Sequence, residues 1–329
     1  MSTAQPTKLV RTGVVGVGAL GTHHARLYSE MPDAQMVGVY DTDPARAAQC
    51  ADAYGCAAYT TVAELARDVD AASVAVPTDR HFPVVCELLD AGVHVLVEKP
   101  IAGSAEEGRE LVERAVQAGR ILGVGHVERY NPVLECLQTV EGPPRFISAE
   151  RLASYPPPRP PLPPRGTEVS VVHDLMIHDL DVILSLVDSP VERIDAVGIA
   201  VLSPTEDIVN ARIAFGDGCV ANLNASRLSR ERLRKIRVFK DKAYMSLDYQ
   251  EQRGQMAMVR DGTVAFDPVP VREGNALLHE LEDFCRCVRT VAETGAPSAP
   301  RVSGPAGLRA LQLADQIVTA CADSKRRST

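Results

Sequence analysis

The stretch Val14–Gly21, VVGVGALG, ends an apolar run with three glycines spaced G-x-G-x-x-G, and a helix-like run follows from Ala19. Each glycine suits one steric task. Gly16 permits a tight turn, Gly18 lets the main chain come close to a phosphate, and Gly21 lets a helix pack on the strand. The stretch therefore predicts a strand–turn–helix unit that places main-chain amides against a phosphate group.

A second apolar run, QMVGVYD, ends in Asp41 roughly 20 residues after the last glycine, the spacing of a dinucleotide-binding acid. A carboxylate there can accept hydrogen bonds from both ribose hydroxyls of NAD, and it would repel the extra phosphate of NADP. The alternative is that Asp41 is an ordinary turn residue after a strand. With the first amides of the helix, from Ala19 and Leu20 onward, Asp41 predicts an NAD site.

Composition limits the class of protein. The chain has 329 residues, a net charge of −8, and eight cysteines without a C-x-x-C pair. The negative charge argues against nucleic-acid binding, and we predict no metal site and no redox dithiol. The amino terminus lacks a signal-peptide pattern, and no segment is apolar enough to span a bilayer. We therefore expect a cytoplasmic protein that does not bind membranes.

Residues 1–125 alternate strand-like and helix-like patterns. Two of the helices begin with capping boxes, Thr61 with Glu64 and Ser104 with Glu107. Short, nearly continuous apolar strands that alternate with helices indicate a parallel sheet covered on both faces. We predict an α/β chain whose first domain, residues 1–125, is a doubly wound Rossmann domain that binds NAD.

The pattern changes after residue 125. A proline-rich segment, residues 155–165, is followed by a helix over about residues 171–187, then by longer strands joined by the turns GDG, KDK and RDG. Two amphipathic helices close the chain. Residues 126–329 are thus predicted to form an α+β domain with a large open, mostly antiparallel sheet, used for substrate binding and for assembly into a homodimer or homotetramer.

Three side chains are candidates for chemistry. Lys99 follows the fifth strand-like run, where ligands of open parallel sheets bind, although a surface lysine is the alternative. Asp174 and His178 are four residues apart on one helix, as in an acid–base pair, although a solvated ion pair is the alternative. Asp181 continues their stripe by one turn.

These motifs, in this order, resemble the Gfo/Idh/MocA oxidoreductase family: the glycine loop, then E-K-P at Glu98–Pro100, then D-x-x-x-H at Asp174 and His178. The resemblance implies hydride transfer between a sugar or cyclitol carbon and a nicotinamide. It implies that Lys99 and His178 converge beside that ring, with Asp174 as their partner. It also places a loop beside the cofactor, here with the order V-P-T instead of the usual T-P. The residues implied in that loop and strand end are Pro77, Thr78, His81 and Glu98.

GHVERYNP (residues 125–132) and RGTEVSVVHDLMIHDLD (residues 165–181) further resemble the subgroup that oxidises the 3-hydroxyl of UDP-N-acetylglucosamine to a ketone. His173 departs from the apolar residue expected before Asp174. The residues predicted to bind substrate are Lys99, Arg129, Asn131, Arg165, Asp174 and His178. A dehydrogenase of a free sugar or inositol is the first alternative, and a non-catalytic NAD-binding regulatory protein is the second.

Overall fold

The computed structural model describes residues 9–160, 164–241, 243–260 and 263–327, and the chain divides into two units. Unit 1 comprises Met1–Val127 and Leu277–Leu308, and unit 2 comprises Glu128–Ala276 and Arg309–Thr329. The predicted boundary after residue 125 lies beside the first change of unit. Residues 277–308, however, belong to unit 1 again. Local sequence patterns do not reveal this, because it depends on contacts between residues that are far apart in the sequence.

Unit 1 contains a parallel sheet in the order β3-β2-β1-β4-β5-β6. Its strands are β1 (Val10–Val15), β2 (Ala34–Tyr40), β3 (Ala57–Ala58), β4 (Ala71–Val74), β5 (His94–Glu98) and β6 (Leu122–Gly125). Its helices are α1 (Gly21–Glu30), α2 (Pro44–Tyr54), α3 (Val62–Asp68), α4 (His81–Asp90), α5 (Ala105–Ala118) and, later in the chain, α7 (Ala276–Thr294). This strand order is that of the Rossmann fold, as predicted.

Local signals in unit 1 act as the sequence predicts. The Thr61 hydroxyl accepts a hydrogen bond from the Glu64 amide at 3.1 Å, and the Ser104 hydroxyl accepts one from Glu107 at 3.2 Å. Both capping residues thus satisfy a free amide at a helix start. The return of α7 has a packing reason, because Leu281 and Phe284 are fully buried in the core cluster of unit 1.

Unit 2 contains an eight-stranded sheet in the order β14-β13-β12-β11-β7-β10-β9-β8. Its strands are β7 (Phe146–Leu152), β8 (Val191–Ile199), β9 (Ile208–Phe215), β10 (Val220–Ser226), β11 (Leu233–Lys240), β12 (Ala243–Asp248), β13 (Arg253–Arg260) and β14 (Thr263–Pro268). Every pair is antiparallel except β7 with β10, which confirms the predicted mostly antiparallel sheet. The sequence did not predict β14.

One face of this sheet carries the core of unit 2. Alternate strand residues such as Ile213 and Leu223 are buried with α6 (Ile177–Leu186) and with α8 (Gly304–Arg327), whose Ile317 is fully buried. A π-helical turn, Val172–Met176, precedes α6 directly. A short 3₁₀ segment, Pro132–Gln138, precedes β7. No helix within the described residues is long and apolar enough to cross a membrane.

Candidate functional site

The glycine loop, residues 16–21, has the backbone that its sequence requires. Gly16 has a φ of +85°, and a Cβ at Gly21 would lie 1.8 Å from the Gly16 carbonyl oxygen. A Cβ at Gly18 would meet nothing within 4 Å, so the protein leaves open space there. The hydroxyl of Thr22 donates to the carbonyls of Val17 and Gly18, at 3.0 and 2.9 Å, and holds the loop in place.

Asp41 joins the end of β2 to the glycine loop. Its Oδ2 accepts a hydrogen bond from the Val17 amide at 2.9 Å, and its Oδ1 accepts one from Asp43 at 2.9 Å. The Arg46 guanidinium lies 3.4 Å from Oδ1. Arg46 Nη1 also lies 3.5 Å from Oδ2, and a ribose hydroxyl would take the place of these two long contacts of Arg46. The loop and Asp41 therefore fit NAD, whereas contacts of the pyrophosphate with Gly16, Gly18, Ala19, Leu20 and Gly21 stay a prediction.

His81 connects two loops at the carboxyl ends of the strands. Its ring is buried, with Nδ1 2.8 Å from the Pro100 carbonyl oxygen and Nε2 3.0 Å from that of Val76. Burial lowers the pKa of His81. Pro77 is exposed and Thr78 half-buried in the intervening turn. The geometry thus gives His81 a bracing function, whereas cofactor contacts by these three residues stay a prediction.

Lys99 follows β5 directly and is half-buried, next to a network of buried polar groups. The Glu98 carboxylate lies 3.2 Å from Nε2 of His24 and accepts a bond from the Lys99 amide at 3.3 Å. His24 Nδ1 lies 3.0 Å from the Ser73 hydroxyl, which also meets Tyr28 at 2.9 Å. Burial raises the pKa of Glu98, but His24 and Lys99 outweigh it, so that the pKa lies below its ordinary value.

In unit 2, Asp174 and His178 lie on either side of the junction between the π turn and α6, and both are half-buried. The Asp174 amide donates to the Ser170 carbonyl at 3.2 Å. The predicted helix is present, but its first turn is π-helical, a rare conformation found often at functional sites. We call residues 166–181 the Asp174 segment.

The two carboxylates that follow His178 in the sequence, Asp179 and Asp181, are buried in unit 2. Asp179 receives two hydrogen bonds from the buried Arg151, at 2.8 and 3.0 Å, and Arg151 also binds Glu128 at 2.9 Å. The carboxylates of Asp179 and Glu128 raise the pKa of Arg151 even though burial opposes them. With Arg234, whose Nη1 lies 3.4 Å from Oε1 of Glu128, two guanidinium groups accompany these two carboxylates in unit 2.

Asp181, which the sequence places one turn beyond His178 on the same stripe, is more deeply buried than Asp174 and His178. It is 1 % exposed, and its nearest described cation is Arg129, whose Nη1 lies 3.4 Å from Oδ1. Burial raises the pKa of Asp181 to about 7, with Arg129 opposing. The helical spacing of the sequence gives the position of Asp181 on the helix but not its burial, which depends on the packing of α6 in unit 2.

The other residues predicted to bind substrate differ in their surroundings. Arg129 is half-buried beside Asp181, and Arg165 is exposed. Asn131 is buried: its amide nitrogen donates to the Tyr249 carbonyl at 2.9 Å, and its oxygen caps the short helix through Val133 at 3.2 Å. These contacts give Asn131 a structural function in unit 2.

His173, the residue that departs from the family pattern, points away from Asp174. Its Nε2 lies 2.8 Å from Oδ1 of Asp315 on α8. The imidazole therefore fastens the π turn to α8. Among the residues that the structure describes, no cluster of three His, Cys, Asp or Glu side chains is arranged to hold a metal ion.

Two buried polar residues next to the candidate site residues were assigned no part in the site by the sequence analysis. His24, three residues after Gly21, has its Nε2 3.2 Å from the Glu98 carboxylate. Arg227 begins the basic run of the sequence over residues 227–240, yet its side chain is 2 % exposed. Its position directly after the alternating strand β10 was the available signal.

Comparisons with known proteins agree with this architecture. Sequence models of the Gfo/Idh/MocA oxidoreductase family match residues 10–126, as the NAD-binding Rossmann fold, and residues 140–246, as the family's C-terminal domain. The fold and the glycine loop define a nicotinamide-dependent oxidoreductase. The chain belongs to the Gfo/Idh/MocA family.

Two relatives are similar over nearly their whole length. UDP-N-acetylglucosamine 3-dehydrogenase of Acidithiobacillus ferrooxidans is 36% identical over 315 residues, which cover 94% of this chain and 96% of the relative. Inositol 2-dehydrogenase of Rhizobium meliloti is 29% identical over 97% of this chain and 99% of the relative. A solved structure of the Acidithiobacillus enzyme has a TM-score of 0.86, at coverages of 95% and 98%.

Proposed function

We propose that the protein oxidises a secondary alcohol of a nucleotide sugar, the 3-hydroxyl of UDP-N-acetylglucosamine, to a ketone with NAD. The observation that carries this proposal is the similarity to UDP-N-acetylglucosamine 3-dehydrogenase over 94% of the chain at 36% identity. The E-K-P and D-x-x-x-H motifs support it, since this chain holds Lys99, Asp174 and His178 at their reactive positions.

In this proposal the carbinol carbon gives up a hydride and its hydroxyl gives up a proton, leaving the 3-keto sugar. Bound NAD supplies the hydride acceptor. The proton passes to His178 or to Lys99, the two groups with suitable chemistry for a base. Asp174 orients the imidazole and stabilises its protonated form, because a carboxylate favours an adjacent cation.

The experiment is a measurement of NADH formation with UDP-N-acetylglucosamine, UDP-glucose, N-acetylglucosamine 1-phosphate and myo-inositol, with a carbonyl trap that draws the ketone out of equilibrium. We expect the highest kcat/KM for UDP-N-acetylglucosamine. Reduction of the product with borodeuteride, followed by mass spectrometry, should place deuterium at carbon 3.

Two other results would replace this proposal. A higher kcat/KM for myo-inositol would favour the alternative that the Rhizobium relative suggests, since it is an inositol 2-dehydrogenase. Tight NADH binding without turnover on any of the four substrates would favour the non-catalytic regulatory protein.

We also propose that a second copy of the chain covers the outer face of the sheet in unit 2. The strand register places the ring cluster Phe146–Phe239–Tyr244 on that face, with ring centroids 5.6 and 4.6 Å apart. Val197 and Phe266 lie on the same face, 56% and 67% exposed. Large exposed apolar surfaces of this kind mark interaction sites.

Light scattering tests the assembly. We expect the mass of a homodimer or homotetramer, and a fall to the single-chain mass in the double variant Val197→Glu, Phe266→Glu. Val116→Glu is the matched control, because Val116 is 76% exposed on α5 of unit 1. A single-chain mass for the unaltered protein would contradict the proposal.

A reducing cytoplasmic location, which would suit the eight free thiols, stays a prediction.

A further inference from the structure

The backbone of Gly166 lies against the carboxylate of Asp174. A Cβ built at Gly166 would be 2.5 Å from Oδ2 and 2.8 Å from Cγ of Asp174, closer than real Cβ contacts. Gly166 also has a φ of +80°, a conformation that other residues rarely adopt. Only glycine therefore lets this loop close on the carboxylate without displacing it.

Arg227 holds the same loop from inside unit 2. Its guanidinium donates to the main-chain carbonyl oxygen of Gly166, to that of Val169 at 2.7 Å and to that of Glu206 at 3.0 Å. The side chain is 2% exposed. Two of these bonds reach the Gly166 loop and the third reaches Glu206, so one rigid, planar group fixes the loop in direction and distance against the segment before β9.

The negative charge of Asp207 offsets the free-energy cost of burying the Arg227 guanidinium. Asp207 lies 3.5 Å from Nε of Arg227, is fully buried, and its other oxygen accepts the amides of Val201, Leu202 and Ser203 at 2.8, 2.6 and 3.0 Å. Burial raises the pKa of Asp207, but these bonds prevail and lower it to about 2. The carboxylate is thus ionised at every working pH, as a buried arginine requires.

The sheet gives this arrangement its rigidity. Arg227 follows β10 directly, and its amide donates to the Asp207 carbonyl at 3.0 Å. A continuous series of contacts runs from the sheet through Arg227 to the Gly166 loop and ends at Asp174. We propose that Gly166 and Arg227 are positioning residues that set the placement of the Asp174 carboxylate, and hence the basicity of the acid–base pair. This inference rests on the proposed function of Asp174.

The test compares Gly166→Ala with Gly218→Ala in the full chain. Gly218 is the matched control: its φ is +86°, it also belongs to unit 2, and a Cβ there meets nothing within 4 Å. Both variants place alanine at the same unfavourable φ, and Gly166→Ala adds the contact with the Asp174 carboxylate, so both should lower Tm and Gly166→Ala should lower it more. Only Gly166→Ala should lower kcat, by about 10²-fold, because displacements of an ångström have that effect on catalytic groups.

A pH profile and a double-mutant cycle distinguish a displaced Asp174 carboxylate from a general loss of stability in Gly166→Ala. A displaced carboxylate supports the protonated base less, so the acidic limb of kcat/KM should move to lower pH in Gly166→Ala. In an Asp174→Ala background, Gly166→Ala should have no further effect on kcat. Arg227→Lys keeps the charge beside Asp207 but cannot reach three carbonyls, and we expect about a tenfold lower kcat with the same shift of the limb.

The outcomes distinguish two kinds of failure. If Asp174→Ala alone leaves kcat unchanged, the proposed function of Asp174 is wrong. If Asp174→Ala impairs turnover but Gly166→Ala behaves like Gly218→Ala, the positioning inference is overturned and the Asp174 assignment stands. Additive effects of Gly166→Ala and Asp174→Ala would also overturn the inference.

Discussion

The glycine loop of unit 1 and the Asp174 segment of unit 2 present their chemistry in different ways. The glycine loop offers main-chain amides, and its requirement is the absence of side chains at Gly16, Gly18 and Gly21. The Asp174 segment offers side chains whose placement depends on a π turn and on the buried Arg227. The backbone geometry of the glycine loop is thus encoded locally, whereas the proposed acid–base pair lies next to a loop that Arg227, a residue remote in sequence, holds.

The largest expected effect concerns Lys99, the one reactive side chain that unit 1 contributes to the proposed chemistry. Lys99→Ala should lower kcat by about 10³-fold, within the range for a lost acid–base group. NADH affinity, measured by fluorescence titration, should stay nearly unchanged because the glycine loop is intact. Lys325→Ala, at a half-exposed lysine of unit 2, is the control. Turnover like that of the unaltered protein in Lys99→Ala would refute the assignment.

Asp174→Asn tests whether the charge of Asp174, in unit 2, supports the base. The amide keeps the shape but removes the charge that supports a protonated imidazole, so kcat should fall by about 10²-fold. The acidic limb of the pH profile should move to lower pH, since the base loses a stabilising anion. Asp188→Asn, at an exposed position after α6, should change neither quantity. An unshifted limb would show that Asp174 does not act on the base.

Asp41→Ala tests the part of cofactor recognition that does use a side chain. We expect the Kd for NAD to rise about tenfold, from the loss of a charged hydrogen-bonding group, and discrimination against NADP to weaken. Asp43→Ala is the control: Asp43 caps α2 by accepting the Ala45 amide at 3.0 Å, so its loss should lower Tm without changing Kd. Equal Kd values for both variants would contradict the ribose assignment.

The smallest effect is a pH dependence of stability from Asp181. Its pKa is about 7 in the folded chain, against 3.8 ordinarily, so between these values the folded state binds more protons than the unfolded state. The free energy of unfolding should therefore fall as the pH rises through this window, by at most about 1.4 kcal/mol per pH unit. Urea unfolding of Asp181→Asn should show a flatter dependence between pH 5 and 7; an identical slope would contradict the assignment.

Much of unit 1 could be predicted from the sequence because its signals are local. Alternating strand and helix patterns gave the parallel sheet, and the capping boxes at Thr61 and Ser104 are both formed. The contact of His24 with Glu98 could not be predicted because Glu98 is remote in sequence and adjacent in space. The return of residues 277–308 to unit 1 was missed for the same reason.

In unit 2 the type of fold was predictable and the details of the site were not. Turn motifs and apolar alternation predicted a mostly antiparallel sheet. A regular helical repeat placed Asp181 on the stripe of Asp174 and His178, but it did not reveal that Asp181 is buried with Arg129 as its ion-pair partner. The sequence does not predict that Arg227 is buried, because it is the first of a run of cationic residues. In the structure its guanidinium donates to main-chain carbonyls of Val169 and Glu206.

The sequence by itself determined the Rossmann architecture, the glycine loop with Asp41, and the residue types available for hydride-transfer chemistry. These follow from steric and periodic requirements that act over a few residues. Only the tertiary structure decided that His24 supports Glu98, that Gly166 closes on Asp174, and that Arg227 and Asp207 hold that loop. The physical reason is that a buried polar group must find its partner in space, wherever along the chain that partner lies.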